Sequence, residues 1–364
     1  MKNHRGIQFA SFILSLAVLV SALAGCTSSK TASDNSDTSK TADDSSKTVV
    51  VGVYSGDWEK QINTAALAQF QKDTGIKVQI VPGADAEWIT KLKAAKGKNV
   101  PYDLLILQPD TIRNAYKADL LQPLDTKDVP NLADSYPSIN KNFTFDSKLY
   151  AAGFSIGQLG LIYRKDLVKT APTSWASLWN EEYKGHVAIS PLTYSAGLQF
   201  FSSQLKNSTP ENAFAKLAKL KSSIIAYPDG AGAIQTLLVR GDAWVVPGWD
   251  GRAFALAKGG LNVGFVYPTD GAVAAVASWA IPKNSPNQAN AYKLLNYILS
   301  PKASGNFSEL SFYATTNKKT VYSKEFLSKV KVDESYFEKL IWVDYDVATP
   351  NLTKWVAEWQ KTLG

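Results

Sequence analysis

Tyr102-Asp103-Leu104-Leu105-Ile106-Leu107 decides the fold of this chain. A continuous apolar run of this kind fits a strand buried on both faces, as in a parallel sheet covered by helices. The preceding segments follow the same scheme. Val49-Val50-Val51-Gly52-Val53-Tyr54 is a β-branched run, and Ile62, Ala66 and Phe70 then recur at i, i+4 and i+8 until Gly75 ends the helical pattern. Ile76, Val78 and Ile80 alternate as a strand, and Trp88 with Leu92 marks another helix face. The order is βαβαβ. Such units build doubly wound sheets, whose ligands collect beyond the carboxyl ends of the strands, here residues 54–58 and 108–111.

A second series starts at Leu161-Ile162-Tyr163 and His186-Val187-Ala188-Ile189, with helical patterns over 198–205 and 213–220. Strands follow at 224–227, 243–246 and 263–266, separated by helices around 234–239 and 253–257. After a strand over 273–281, Ala291, Leu294, Leu295 and Ile298 share one helix face that Ser300-Pro301 closes. There is no internal repeat. Roughly 315 residues lie beyond position 48, and single cores rarely grow past ~250–300 residues, so two lobes are expected.

The amino terminus carries Lys2 and Arg5 with no acid, followed by an almost wholly apolar stretch over 7–24, the order of an export signal. Leu23-Ala24-Gly25-Cys26 looks like a bacterial lipobox, in which the cysteine thiol takes a diacylglycerol. Cys26 is then the lipidation site and the contact with membrane lipid. Residues 27–47 hold Ser, Thr, Asp, Asn, Lys and Ala, with no aromatic or branched aliphatic side chain, too little apolar surface to fold. This tether would reach about 25 Å on average.

Composition removes several function classes. Cys26 is the only cysteine, so there is no internal disulfide, thiolate metal cluster or second reactive thiol. The formal charge of +7 falls by two with Lys2 and Arg5, and no Lys/Arg run concentrates the rest, so nucleic-acid binding is not expected. Beyond the export signal His186 is the only histidine, which leaves neither a zinc set of the usual kind nor a general base for a triad. Gly153-Phe154-Ser155-Ile156-Gly157 matches the pattern of a hydrolase nucleophile elbow, the basis for an alternative as an exported serine hydrolase using Ser155. The context argues against it, because 156–163 reads as strand where an elbow needs a helix. No enzyme activity and no cofactor are expected.

Several stretches resemble the spermidine/putrescine-binding group of periplasmic solute-binding proteins. They are residues 70–78, Tyr102-Asp103-Leu104, Thr173-Ser174-Trp175-Ala176-Ser177-Leu178-Trp179 with Tyr183-Lys184-Gly185, Trp279-Ala280-Ile281-Pro282, and 296–301. Together they run from about Val49 to the carboxyl terminus in the family's order. The resemblance implies a type II periplasmic-binding-protein fold, two α/β lobes with mostly parallel, doubly wound sheets, a ligand cleft between them and closure by hinge bending. It implies lobe 1 over 49–152, lobe 2 over 153–278, a return to lobe 1 over 279–315, and C-terminal helices over 316–364 packing mainly on lobe 2. Residues 1–25 are the lipoprotein signal peptide and 26–48 the tether.

The function expected from this resemblance is an extracytoplasmic lipoprotein, held at the cell membrane, that captures a small polar organic solute, polyamine-like or another small amine. It would deliver that solute as a monomer to the permease and ATPase of an ABC importer. A ligand-sensing receptor of the same fold is the alternative.

The resemblance also places the contacts. Trp58 matches a ligand-contacting Trp of the family, Trp249 another family Trp and Tyr313 a family Tyr beside the second crossing, so all three are candidate contacts, and Gln108 and Asp110 replace a family Ser and Tyr. Two acidic positions that hold ammonium groups in the family are missing, replaced by Leu192-Thr193-Tyr194-Ser195 and Ala275-Val276-Ala277. Tyr194 joins the candidates from the first of these, and Asp250 with Asp110 stands as a source of replacement carboxylates. Arg252 is equally close to the expected pocket. Trp175 to Trp179 is expected to be structural, since aromatics dominate cores. Ferric iron would need an adjacent Tyr-Tyr pair, which the sequence lacks.

Overall fold

The structure, a computed structural model, describes residues 47–364. The export signal, Cys26 and nearly all of the tether lie outside the described residues. Ten strands form one sheet: β1 Thr48–Tyr54, β2 Lys77–Gly83, β3 Leu104–Leu107, β4 Ala152–Arg164, β5 Val187–Ala188, β6 Ile224–Ala226, β7 Val245–Trp249, β8 Val263–Val266, β9 Val273–Ala280 and β10 Ala314–Thr315. The order along the sheet is β2-β1-β3-β9-β4-β7-β5-β6, with β8 and β10 also pairing β4.

Parallel pairing joins β1 to β2 and β3, and β5 to β6 and β7. Every pair involving β4 or β9 is antiparallel. The sheet is therefore mixed where mostly parallel sheets were expected. Periodicity reveals a buried strand but not its direction, and the two crossing strands supply the antiparallel half.

Strands β4 and β9 carry side chains into separate apolar cores. Ala152, Phe154 and Ile156 belong to a first core with Val51, Leu105, Trp279 and Phe307, whereas Leu159 and Leu161 belong to a second with Val187, Phe200, Val245 and Trp355. Ile162 joins a third, smaller cluster with Leu238 and Val246. The helix expected through Ile62, Ala66 and Phe70 runs as Asp57–Ile62, a π-helical segment Asn63–Leu67, and Ala68–Thr74, and all three side chains are buried in the first core. Gly75 ends it in the left-handed conformation at φ 71°, where a glycine carries no Cβ penalty.

Asp103 locks the start of β3. Its carboxylate is fully buried and accepts the Val50 N–H at 2.7 Å, the Ser285 hydroxyl at 2.7 Å and the Asn287 N–H at 2.9 Å. Trp175 opens a short helix, Trp175–Trp179, is buried in the second core and donates its indole N–H to the Gly271 carbonyl at 2.8 Å. The C-terminal segment is shared between cores and does not pack mainly on one. Phe326, Val330, Phe337 and Leu340 join the first, while Ala348, Trp355, Trp359 and Leu363, on the helix Tyr345–Leu363, join the second.

Candidate ligand-binding cavity

Where the two cores meet over β4 and β9 lies a cavity of ≈270 Å³. Its floor is Ser155 and Gly157 of β4 against Ala277 and Ala275 of β9, which pair in register. Small side chains here leave room that larger ones would fill. Tyr313 closes one side. Its ring lies against Gly251 and Gly157, where an added Cβ would come within 2.5 and 3.0 Å of ring carbons.

The wall from the first core comes from the carboxyl ends of β1 and β3. Tyr54 ends β1, Ser55 follows, and Gly56 at φ 89° turns the chain into the helix that carries Trp58. Trp58 has only 8% of its surface exposed and packs on Phe307 and Trp279, with ring centroids 5.2 and 5.9 Å away. It is at once a core residue and part of the lining. Gln108 precedes the helix Pro109–Lys117. Its side-chain amide donates to the Tyr54 hydroxyl at 3.2 Å and its backbone N–H to Asp85 at 2.8 Å.

The opposite wall comes from helix starts. Tyr194 and Ser195 open the helix Ser195–Leu205, one turn before Gln199, and Ala231 opens the helix Ala231–Arg240. Trp249 ends β7 and donates its indole N–H to the Gln199 side-chain oxygen at 2.9 Å, with Tyr194 edge-on at 5.8 Å. Arg252, in the first turn of the helix Asp250–Lys258, also lines the space. Its charge counteracts the burial that raises the phenols of Tyr194 and Tyr313, the latter to about 12. An adjoining cavity of ≈310 Å³ shares Ala231, Trp249 and Arg252 and continues between apolar side chains such as Ile162, Ile234 and Leu256.

Five expected contacts, Trp58, Gln108, Tyr194, Trp249 and Tyr313, therefore line one cavity, and the two carboxylates do not. Asp250 is fully buried on the far side of the chain from Trp249. It accepts the Gln158 N–H at 3.1 Å, the Gly251 N–H at 2.8 Å and the Tyr267 hydroxyl at 3.2 Å, and burial pushes its carboxyl up to about 7. Asp110, in the first turn of the helix Pro109–Lys117, is also off the lining. Burial raises its carboxyl, and the neighbouring Asp85 adds to the shift. Tyr54 and Ser55 fall in the strand end expected to face ligand, whereas sequence reasoning missed Ser195 and Gln199 as lining residues. The i, i+4 spacing of Ser195 and Gln199 on a helix start was the available signal.

Ser155 lies in the middle of β4, with no strand-turn-helix elbow, and His186 stacks on Trp244 at 3.8 Å and contacts the Asp242 carbonyl. Neither arrangement supports acyl transfer. An aromatic-walled cavity between two cores, bridged by crossing strands, has the make-up of a small-molecule binding site.

The chain belongs to the bacterial extracellular solute-binding protein family, whose pattern matches residues 65–333. It is 27% identical over 273 residues to the spermidine/putrescine-binding periplasmic protein of Escherichia coli (strain K12), covering 73% of this chain and 77% of that one. It is 28% identical over 289 residues to the putrescine-binding periplasmic protein PotF of the same organism, covering 72% and 77%. Among solved structures, the spermidine/putrescine ABC transporter substrate-binding protein PotD from Streptococcus pneumoniae has the same fold, with a TM-score of 0.73 at 24% identity over 88% of this chain and 100% of that chain. The chain is thus an extracytoplasmic solute-binding protein for a small organic ligand, and not an enzyme.

Proposed function

We propose that this protein captures a small polar organic solute in the ≈270 Å³ cavity and passes it to the permease and ATPase of an ABC importer. One observation carries the reading: the cavity is lined from both cores and from the strands that cross between them. In this reading the molecule is two-lobed, of the type II kind, with lobe 1 over 49–152, lobe 2 over 153–278 and a return over 279–315. Bending at β4 and β9 closes the lobes on the solute. Trp58, Trp249, Tyr194 and Tyr313 supply aromatic surface and Gln108 orients polar groups. Cys26 carries the lipid that keeps the protein at the membrane. About 0.8 kcal/mol per buried acyl CH₂ makes an anchor of two or more chains effectively permanent.

The test is binding. The full chain in detergent, titrated with a library of small polar metabolites, is expected to gain thermal stability and change tryptophan fluorescence with at least one of them. Trp249→Ala should then weaken that ligand by roughly 5- to 150-fold, the range for about 1–3 kcal/mol. Unchanged affinity in a folded Trp249→Ala would move the site elsewhere. For the anchor, Cys26→Ala should release the protein from membranes or leave it unprocessed, and normal processing with retention would refute lipidation.

A further inference from the structure

Among the described residues Arg252 is the only charged side chain on the cavity lining. Among the described residues no carboxylate lies within ion-pair distance of its guanidinium. Of the nearby acids, Asp110 and the exposed Asp229 are off the cavity lining, and the others are committed elsewhere or set back. Asp250 is fully buried, with its oxygens taken by two backbone N–H groups and Tyr267. Asp85 accepts the Gln108 backbone N–H behind the wall. Asp57 lines only the adjoining cavity and pairs with Lys60 at 3.7 Å.

From this we infer that the bound solute carries an anionic head, a carboxylate, phosphonate or phosphate ester, seated against Arg252; the inference rests on the reading of this cavity as the solute site. The guanidinium offers a planar fork of donors suited to such a group. Two further features act in the same direction. Ser195 and Ala231 both line the cavity as first residues of helices of 11 and 10 residues, and neither N-cap side chain caps its helix, so both helix starts turn their positive ends to the cavity, although the Ala231 N–H already meets the Tyr194 hydroxyl. The Ser195 and Tyr194 hydroxyls add donors beside them. A diammonium solute would meet a fixed positive charge and two positive helix ends, with no lining carboxylate to replace its water.

Four probes of similar size separate the chemistries: 4-aminobutanoate, 3-aminopropylphosphonate, glycerol 3-phosphate, and putrescine, with glucose as a neutral control. Putrescine and 4-aminobutanoate are both four-carbon chains with an ammonium at one end, and they differ at the other, a second ammonium in putrescine and a carboxylate in 4-aminobutanoate. Calorimetry on the full chain in detergent is expected to show binding of at least one anionic probe and none of putrescine. Arg252→Gln should lower that affinity about 30-fold or more. Arg252→Lys should recover part of it, by keeping the charge without the fork. Arg252 is exposed at the surface of its helix and, among the described residues, its side chain meets only the Tyr313 hydroxyl, so both variants should fold with a melting temperature close to the parent's. Binding of putrescine or glucose that Arg252→Gln leaves unchanged would overturn the anionic head and leave the solute-binding reading intact. If no probe binds and small molecules extracted from the producing cells also fail to stabilise the chain, the solute-site reading fails, and this inference with it.

Discussion

Trp249 and Asp250 are neighbours in sequence and face opposite ways: the indole lines the cavity and donates to Gln199 at 2.9 Å, while the carboxylate is buried against the Gln158 and Gly251 amides. The change from strand β7 to the helix Asp250–Lys258 between them turns one side chain out and the other in. A residue that reads in sequence as a ligand carboxylate is thereby a structural one. It ties the helix start to β4, one of the two crossing strands.

This burial makes stability depend on pH. The folded Asp250 carboxyl holds its proton up to about 7, whereas the unfolded chain releases it near 3.8. Between these values the folded state binds one more proton, so stability is fullest below the lower value, falls as pH rises through the window and levels off above about 7. The loss is on the order of 4 kcal/mol. Asp250→Asn can keep both backbone N–H bonds on its oxygen and donate to Tyr267, whose hydroxyl already reaches the Lys329 carbonyl at 3.3 Å. Denaturant unfolding at pH 4.5 and 8 should show the variant gaining stability relative to the parent only at the higher pH. An equal pH slope in both would reject this role.

Gly251 is expected to control the position of Tyr313. A methyl group there would come within 2.5 Å of the ring, so Gly251→Ala must push the ring toward the cavity or shift the helix start. Overpacking of this kind typically costs about 1–3 kcal/mol. Ligand affinity should fall along with melting temperature in Gly251→Ala, and Gly251→Ala/Tyr313→Leu should recover the stability without the full affinity. Recovery of neither would show that the helix start, and not the ring, had yielded.

Much of the fold was legible because buried strands and amphipathic helices leave periodic apolar signals, as at Val49 to Tyr54 and Ala291 to Ile298. Strand direction was not, since β4 and β9 look the same whichever way they pair. At the site, aromatics near strand ends were found, because that placement follows from chain order. Gln199 and Ser195 were not, because their role depends on a helix start meeting Trp249 across the sheet. Asp250 failed for the opposite reason. Proximity in sequence says that a carboxylate is near the cavity but not which face of the chain it occupies.

Asp103 shows the same limit in a core position. Its neighbourhood read as a strand motif, yet its carboxylate satisfies the Val50 and Asn287 amides and the Ser285 hydroxyl. Asp103→Ala leaves these donors without their acceptor in a fully buried place, at about 1–3 kcal/mol for each unsatisfied group. A loss of at least about 3 kcal/mol in urea unfolding is expected, with Asp103→Asn losing less because it keeps one acceptor oxygen. A change below about 1 kcal/mol in Asp103→Ala would mean that water replaces the carboxylate.

A contact far from the cavity bears on closure. Arg113 sits on the helix Pro109–Lys117, whose Ile112 and Ala115 belong to the first core, and its Nε donates to Asp346 at 2.8 Å. Asp346 begins the helix Tyr345–Leu363, whose Trp355 and Trp359 belong to the second core. A second guanidinium nitrogen also pairs with Asp346, and Lys117 approaches it at 3.5 Å. If the lobes separate when empty, as the proposed function requires, this pair holds only the closed form and its energy appears in ligand release. Partly exposed pairs contribute about 0.2–1 kcal/mol, so Arg113→Ala should weaken ligand binding by no more than about 5-fold. The change should fall on the dissociation rate, since the pair forms after the solute has entered. It should fade as salt rises, because exposed charges are screened. Stopped-flow release measured at low and high salt in the parent, Arg113→Ala and Asp346→Asn separates this from a static role. A static brace would instead lower the melting temperature of the unliganded protein and leave the release rate unchanged.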